Sequence, residues 1–316
     1  MRVLRRPRGD RDASGDALTH KLGQRSGTVS DTITIAIDAM GGDGAPGIVL
    51  KGAEIALQRH PAVRYLLFGA EEKIRPLIDK LPRLSGMVTV FHTAEVVADD
   101  AKPSLALRTG RQSSMRLAID AVADGRADGV VSAGNTGALM AMAKFALKML
   151  PGIDRPAIAS FFPTQHGESV MLDLGANIEC DAENLVQFAL MGDVFARTVL
   201  GLIEPTVGLL NVGSEDLKGN NAVRAAGARL RLANTPIQFH GFVEGDDIAA
   251  GTVDVVVTDG FTGNVAVKSH GSTDAFGFAN AIGVAIDMKV NGFLDKIRAE
   301  LERLNDARSV PQPAAL

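Results

Sequence analysis

Five polar, glycine-rich stretches, at residues 38–47, 133–137, 173–181, 211–220 and 258–264, each follow a short apolar run. The second, Ala133-Gly134-Asn135-Thr136-Gly137, stands between an apolar run at 129–132 and a segment of helical spacing at 138–150. A strand, a tight glycine turn and a helix leave backbone N–H groups unpaired at a helix N-terminus, where the helix dipole reinforces them and an anion can bind. Asn135 and Thr136 add side-chain donors with little bulk. The amides of Asn177, Asn211 and Asn264 and the cations Lys102, Arg108, Lys218 and Lys268 suit the same task. An incoming phosphate needs positioning more than deprotonation, and the oxyanion formed when it attacks an acyl carbonyl wants the same donors. The plainer role for Asp38, Asp173, Asp181 and Asp259 is to cap turns and helices; it is their shared placement at strand ends that argues for more.

Two other chemistries fit less well. Gly42-Asp-Gly-Ala-Pro-Gly47 matches G-x-G-x-x-G between a strand and a helix. Asp38 and Asp43, however, would crowd a pyrophosphate with negative charge, and the second strand ends Leu67-Phe68-Gly69-Ala70 with no acid before Glu71. No nicotinamide cofactor is expected. Cys180 lies between Glu179 and Asp181, neighbours that raise a thiol's pKa, and reads as a packing residue. There is no G-x-S-x-G elbow, and the histidines lack metal-ligand spacing, so neither a serine triad nor a metal site is expected.

The elements that must hold these residues follow from the apolar pattern. Strands are expected at 33–37, 64–68, 87–91, 129–132, 157–162, 169–174, 207–211 and 253–257, with an antiparallel hairpin turning at His166-Gly167. Helices are expected up to 60 after Pro46, at 71–81, as one long element at 102–124, at 138–150, at 181–200, after 220 to about 233, and at 292–305. Alternating strands and helices imply a three-layer α/β/α domain with a mostly parallel, mixed sheet over 32–305. Ligands of such sheets sit at the carboxyl ends of strands, where the five polar stretches fall. Residues 1–31 are polar and aperiodic and read as a disordered extension; 306–316 read as a flexible tail.

Composition narrows the partners. The chain has 316 residues, 46% hydrophobic, enough for a substantial core. With 4% aromatics, no Trp and a net charge of −4, it carries neither stacking platforms nor a basic footprint for nucleic acid. One cysteine excludes an internal disulfide framework and suits a reducing cytoplasm, and no apolar run reaches the length of a membrane span. The expectation is a soluble cytoplasmic protein.

Several motifs together resemble one family, the bacterial phosphate acyltransferases. They are Ile35-Ala-Ile-Asp-Ala-Met-Gly-Gly-Asp43, Lys102-Pro-Ser-Leu-Ala-Leu-Arg108, Ser132-Ala-Gly-Asn-Thr-Gly-Ala-Leu-Met-Ala141, Leu172-Asp-Leu-Gly-Ala-Asn177, Gly208-Leu-Leu-Asn-Val-Gly213, Lys218-Gly-Asn220 and Asp259-Gly-Phe-Thr-Gly-Asn-Val-Ala266. The resemblance runs from about Thr32 to about Ile286. It implies a fold like that of the isocitrate and isopropylmalate dehydrogenases and transfer of a long acyl chain from acyl carrier protein to inorganic phosphate for phospholipid synthesis. It also implies a homodimer with peripheral membrane contact at the inner face of the cell membrane. On this reading Asn135, Lys218, Asn177 and Asp259 carry catalysis. Gly134, Thr136, Gly137, Lys102, Arg108, Asp38, Gly41, Gly42, Asp173, Asn211, Asn264 and His270 bind phosphate and substrate, with no cofactor and no metal.

Two departures stand out. Phe242 occupies a position where the family carries an amide, in Gly241-Phe-Val-Glu-Gly245. Between Ala266 and Val267 the family carries several dozen further residues, including a helical hairpin implicated in dimer and membrane contact. Their loss implies a chain that is less dimeric, exposes apolar surface near Val265 and turns over weakly; the alternative is a homologue that binds phosphate or acyl phosphate without turnover.

Overall fold

The computed structural model describes residues 32–232, 235–266 and 274–309. The expected extension at 1–31, the residues at 310–316, and Lys268 and His270 lie outside them. The first part of the chain comprises β1 (Thr34–Asp38), α1 (Gly47–Arg59), β2 (Arg64–Gly69), α2 (Glu71–Ile78), α3 (Pro82–Ser85), β3 (Val88–His92), α4 (Pro103–Thr109), α5 (Ser114–Ala123), β4 (Gly129–Val131) and α6 (Thr136–Leu147). There follow β5 (Ala159–Thr164), β6 (Gly167–Leu172), α7 (Ala182–Phe195), β7 (Thr206–Leu210), α8 (Asn221–Leu230), β8 (Gln238–Val243), α9 (Gly245–Ala250), β9 (Val255–Val257) and α10 (Gly260–Ala266), then α11 (Ala275–Val290) and α12 (Phe293–Ser309).

The expected α/β architecture with its mostly parallel strands is present, divided into two sheets. One has the order β3-β2-β1-β4 and is parallel throughout. The other has the order β5-β6-β9-β7-β8 and is parallel except for the β5–β6 hairpin. Ile35, Ala36, Ile37, Val255, Val256 and Val257 are all buried, so these strands are covered on both faces as parallel sheets require. Strand order, not strand direction, switches in each sheet: the chain moves outward from β1 to β2 and β3 and returns to β4 on the other side of β1, and β9 returns to a place between β6 and β7. Crevices open at the carboxyl ends of such strand pairs.

The last two helices belong to different sheets. Phe278, Ala279, Ile282 and Ile286 of α11 join the core with Val49, Leu50 and Ala53 of α1. The contact is close: a Cβ at Gly52 would lie 2.8 Å from the carbonyl oxygen of Ala275. Ile297, Leu301 and Leu304 of α12 instead join Leu185, Phe188 and Ala189 of α7 in the core of the second sheet. Each such aliphatic or aromatic side chain contributes about 2 kcal/mol on burial, so the chain's end holds both halves in place.

Several boundaries differ from the sequence expectation. The long helix at 102–124 is two helices, because the chain closes against α6 at Gly110, where a Cβ would meet the Ala106 carbonyl oxygen at 2.8 Å and Met142 Cε at 3.0 Å. Ser113 then caps α5 by accepting the Arg116 N–H at 3.3 Å. The helix at 181–200 loosens into a π-turn at Ala196–Leu200 before left-handed Gly201. α3, β8, α9, α10 and α11 are five elements that the apolar pattern alone did not resolve. α12 runs to Ser309, past the boundary expected at 306.

Where α12 meets α7, charge is buried as well. Arg197 contacts Asp193 at 2.6 Å and Glu300 at 3.0 Å, with both carboxylate side chains 6% exposed. Burial pushes the Asp193 carboxyl up to about 6, and Arg197 pulls it back only in part. The folded chain thus holds this proton more tightly than the unfolded one. Asp193 therefore stabilises most below the unfolded value, and its contribution is lost as pH rises through about 6. In wild type, stability should fall by about 1 kcal/mol more between about pH 5 and about pH 7 than in Asp193→Asn, as read by urea unfolding at both values. Parallel slopes in the two proteins would show that Asp193 does not titrate in this window.

Candidate active site

Helix α6 begins at a chain of hydrogen bonds rather than at a set of free donors. Ser132 Oγ donates to Asp38 Oδ2 at 2.7 Å and accepts the Gly134 N–H at 3.1 Å. The Met40 N–H donates to Asp38 Oδ1 at 3.2 Å, and burial pushes this carboxyl's pKa up against those hydrogen bonds. Nothing larger than glycine fits at Gly41, where a Cβ would lie 2.6 Å from Asp38 Oδ2 and 2.7 Å from Gly134 N. Asn135 caps the helix by accepting the Ala138 N–H at 2.9 Å, and its Nδ2 donates to the carbonyls of Asp99 at 2.8 Å and Ala101 at 3.0 Å. The Asn135 amide thus ties α6 to the segment leading into α4. Among the described residues, the N–H groups of Thr136 and Gly137 keep no hydrogen-bond partner.

A second buried carboxylate shapes the loop after β6. Asp173 accepts the N–H groups of Ile158 at 2.9 Å, Gly175 at 3.3 Å, Ala176 at 3.0 Å and Asn177 at 2.7 Å, and the Asn177 side-chain amide at 2.8 Å. Asn177 also donates to the Pro156 carbonyl at 2.8 Å. Its own carbonyl accepts the Gly260 N–H at 2.8 Å, and a Cβ at Gly260 would sit 2.7 Å from that oxygen. Asp259 caps α10, accepting the Thr262 N–H and hydroxyl, each at 2.9 Å. Asn264 reaches back to the Leu174 carbonyl at 3.2 Å.

Between these two loops lies a cleft of about 820 Å³. One wall is the face of α6 carrying Thr136, Gly137, Met140, Ala141 and Lys144, residues three, four and seven apart that share one side of a helix. Arg155 and Pro156, the start of β5, and the 174–177 loop with Asn264 form the other. The middle is apolar, from Met140, Ala141, Ile158 and Leu174. Two cations and no carboxylate reach the wall among the described residues.

Of the residues expected to bind or react, Thr136, Gly137, Asn177 and Asn264 are on the wall. Gly134, Asn135, Asp38, Gly41 and Asp173 stand behind it, and left-handed Gly42 abuts Ala133. Lys102 is exposed at the N-cap of α4, beside the wall residue Pro103, while Arg108 Nε donates to the Ser104 carbonyl at 3.3 Å on the same helix. Asn211 and Lys218 are not brought to the cleft. They meet in the loop after β7, where Asn211 Nδ2 donates to the Lys218 carbonyl at 3.1 Å. Phe242 packs in the core against Gly227 and beneath the Arg231 guanidinium, 5.0 Å from its ring centre. Burial pushes the half-buried Cys180 thiol up to about 11, in keeping with packing. Lys144 and Arg155 were missed, although Lys144 follows Gly137 by seven residues and so shares its helix face.

The contrast between Asp173 and Asp259 is testable. Asp173→Asn turns an amide toward N–H groups that now find oxygen, and should cost about 3 kcal/mol in urea unfolding. Asp259→Asn keeps an equally good cap and should stay within about 0.5 kcal/mol of wild type. Equal effects would mean that the Asp173 hydrogen bonds do not set the loop's stability.

A family model described as "Fatty acid synthesis protein" matches residues 33–269. The phosphate acyltransferase of Rhodospirillum centenum is 58% identical, over 88% of this chain and 96% of its own. That of Paramagnetospirillum magneticum is 50% identical, over 91% and 99%. The first alignment extends over 339 positions, yet 88% of 316 residues is about 278, so about 60 positions of that relative have no counterpart here. Among solved structures, a phosphotransacetylase from Staphylococcus aureus superposes with a TM-score of 0.60 at 16% identity, covering 82% of this chain and 94% of its own. A branched-chain phosphotransacylase from Enterococcus faecalis gives 0.59 at 14%, over 82% and 99%; at such identities the likeness concerns the fold. No helix among the described residues is long and apolar enough to cross a membrane. By sequence over nearly its whole described length, the chain belongs to the phosphate acyltransferase family.

Proposed function

We propose that the cleft transfers a long acyl chain from acyl carrier protein to inorganic phosphate, in the cytoplasm, supplying acyl phosphate to phospholipid synthesis. The observation that carries this reading is the start of α6 on the cleft wall: two unpaired N–H groups of a 12-residue helix beside an apolar middle, with no carboxylate on the wall among the described residues. Phosphate binds the Thr136 and Gly137 N–H groups, where the dipole of α6 favours it. One of its oxygens attacks the thioester carbonyl carbon. The C–S bond then breaks, the thiolate departs to take a proton from water, and acyl phosphate remains. Phosphate is already an anion, so the step needs no protein nucleophile and gains most from alignment. Asn135, Asn177 and Asp259 act by holding the loops that set this alignment. Lys218 and Asn211 enter the reaction only where donor binding brings their loop over the cleft.

Thr136 occupies the first helical position, where proline is tolerated and removes the N–H alone. Asn135 before it is already extended, at φ −53° and ψ 110°, as the residue before a proline must be. Thr136→Pro should therefore keep the melting temperature while raising the KM for phosphate about tenfold, the weight of one charge-assisted hydrogen bond. Thr136→Ala, which retains the N–H, should not. A phosphate KM that is the same in all three proteins would remove the α6 terminus from the reaction.

The homodimer and peripheral membrane contact belong to the same reading, and the unmatched stretch of the relatives bears on both. We place it between Ala266 and Val267. Phe261, Val265 and Phe276 are exposed on either side of residues 267–273. A chain without that stretch should sediment with more monomer, and float less with anionic liposomes, than a relative that carries it. Equal dimerisation and flotation would show the stretch to be dispensable for both.

A further inference from the structure

Lys144 and Arg155 stand together on the cleft wall. Lys144 Nζ lies 3.5 Å from the carbonyl oxygen of Asp154, the residue bonded to Arg155. Neither cation has a carboxylate partner among the described residues. The Arg155 guanidinium donates to the Glu179 carbonyl at 3.2 Å and not to its carboxylate. Asp154, the acid nearest in sequence, is held elsewhere by a two-pronged amide. Its Oδ2 accepts Gln187 Nε2 at 2.8 Å, and its N–H donates to Gln187 Oε1 at 2.9 Å. Gln187 is itself buried in α7, so this clasp keeps the carboxylate off the wall. Two like charges with no acid between them concentrate positive potential at one end of the cleft. An anion placed there collects charge-assisted hydrogen bonds from both.

That end is separate from the start of α6. Lys144 follows Gly137 by seven residues, a rise of about 10 Å along the helix, with the apolar Met140 and Ala141 between them. We infer that Lys144 and Arg155 form a second subsite for a phosphate-type anion, occupied by the phosphodiester of the flexible arm on which the carrier presents its acyl thioester. The inference rests on the acyl-transfer reading above. It places the arm's anchor at one end of the cleft and the acceptor phosphate at the other, with the thioester over the apolar middle. The arm is a chain of single bonds longer than this separation, so it spans the cleft with slack.

Both cations are exposed, so Lys144→Ala, Arg155→Ala and Lys144→Glu should fold as wild type, which thermal melts check. With the acyl chain on its carrier, the alanine variants should raise the KM for the donor by about tenfold, and the charge reversal by more, with the KM for phosphate unchanged. With the same acyl group on N-acetylcysteamine, which has no phosphodiester, the variants and wild type should perform alike. An effect on the KM for inorganic phosphate would mean that the pair serves the acceptor, and equal losses with both donors would mean that it serves neither anion; each overturns the inference. Calorimetric titration supplies a readout that needs no turnover. Wild type should bind 4′-phosphopantetheine more tightly than pantetheine, and the double variant should bind the two alike. If wild type shows no such preference, the subsite is wrong even where acyl transfer proceeds. If the preference is present but no acyl phosphate forms, the acyl-transfer reading fails and the subsite stands.

Discussion

The carboxylate of Asp173 accepts five hydrogen bonds with no exposure to solvent, and the shape of the cleft follows from it. Four of those bonds come from backbone N–H groups, including that of Ile158 just before β5. One side chain thus sets the curvature of the 174–177 loop and the spacing between that loop and β5. Burying a charge without partners costs far more than a fold can bear, so the donors and the carboxylate enforce each other. Asn177, which completes the set, passes the constraint on to α10 through its carbonyl and the Gly260 N–H.

The first sheet repeats the device in smaller form. Asp38 ends β1 as a buried carboxylate, Ser132 bridges it to Gly134, and Gly41 leaves the space that the bridge needs. Each side of the cleft is therefore organised from behind by an aspartate at a strand's carboxyl end, and what faces the cleft is backbone N–H, amide, two cations and apolar surface. This arrangement keeps carboxylates off the cleft wall among the described residues. Asp38, Asp173 and Asp259 each spend their carboxylate oxygens on hydrogen bonds within the fold.

The two sheets must keep a fixed distance if groups on both are to act on one substrate. α11 is anchored against α1 and α12 against α7, with residues 291 and 292 between them, so the end of the chain acts as a short strap across the two cores. The ion cluster of Asp193, Arg197 and Glu300 adds a charged contact to the second anchor.

Much of this was legible from residue order alone. Alternating apolar runs and helical stretches specify an α/β chain, because parallel strands buried on both faces need continuous apolar runs and crossover helices. Glycine and aspartate at strand ends specify turns, and Asp181 and Asp259 do cap the helices that follow them. These features are local, and their physics is complete within a few residues. What residue order could not settle depends on contacts between distant segments. Division into two sheets, the break at Gly110 against Met142, and the placing of α11 on the first core all arise from packing across the fold. So does the composition of the wall: Lys144 and Arg155 reach the cleft while Lys218 and Asn211 do not. The Asn135 amide is taken up by the carbonyls of Asp99 and Ala101, more than thirty residues away. A side chain's donors can be counted from its type, but where they are spent is decided by which backbone the tertiary fold brings within hydrogen-bond reach.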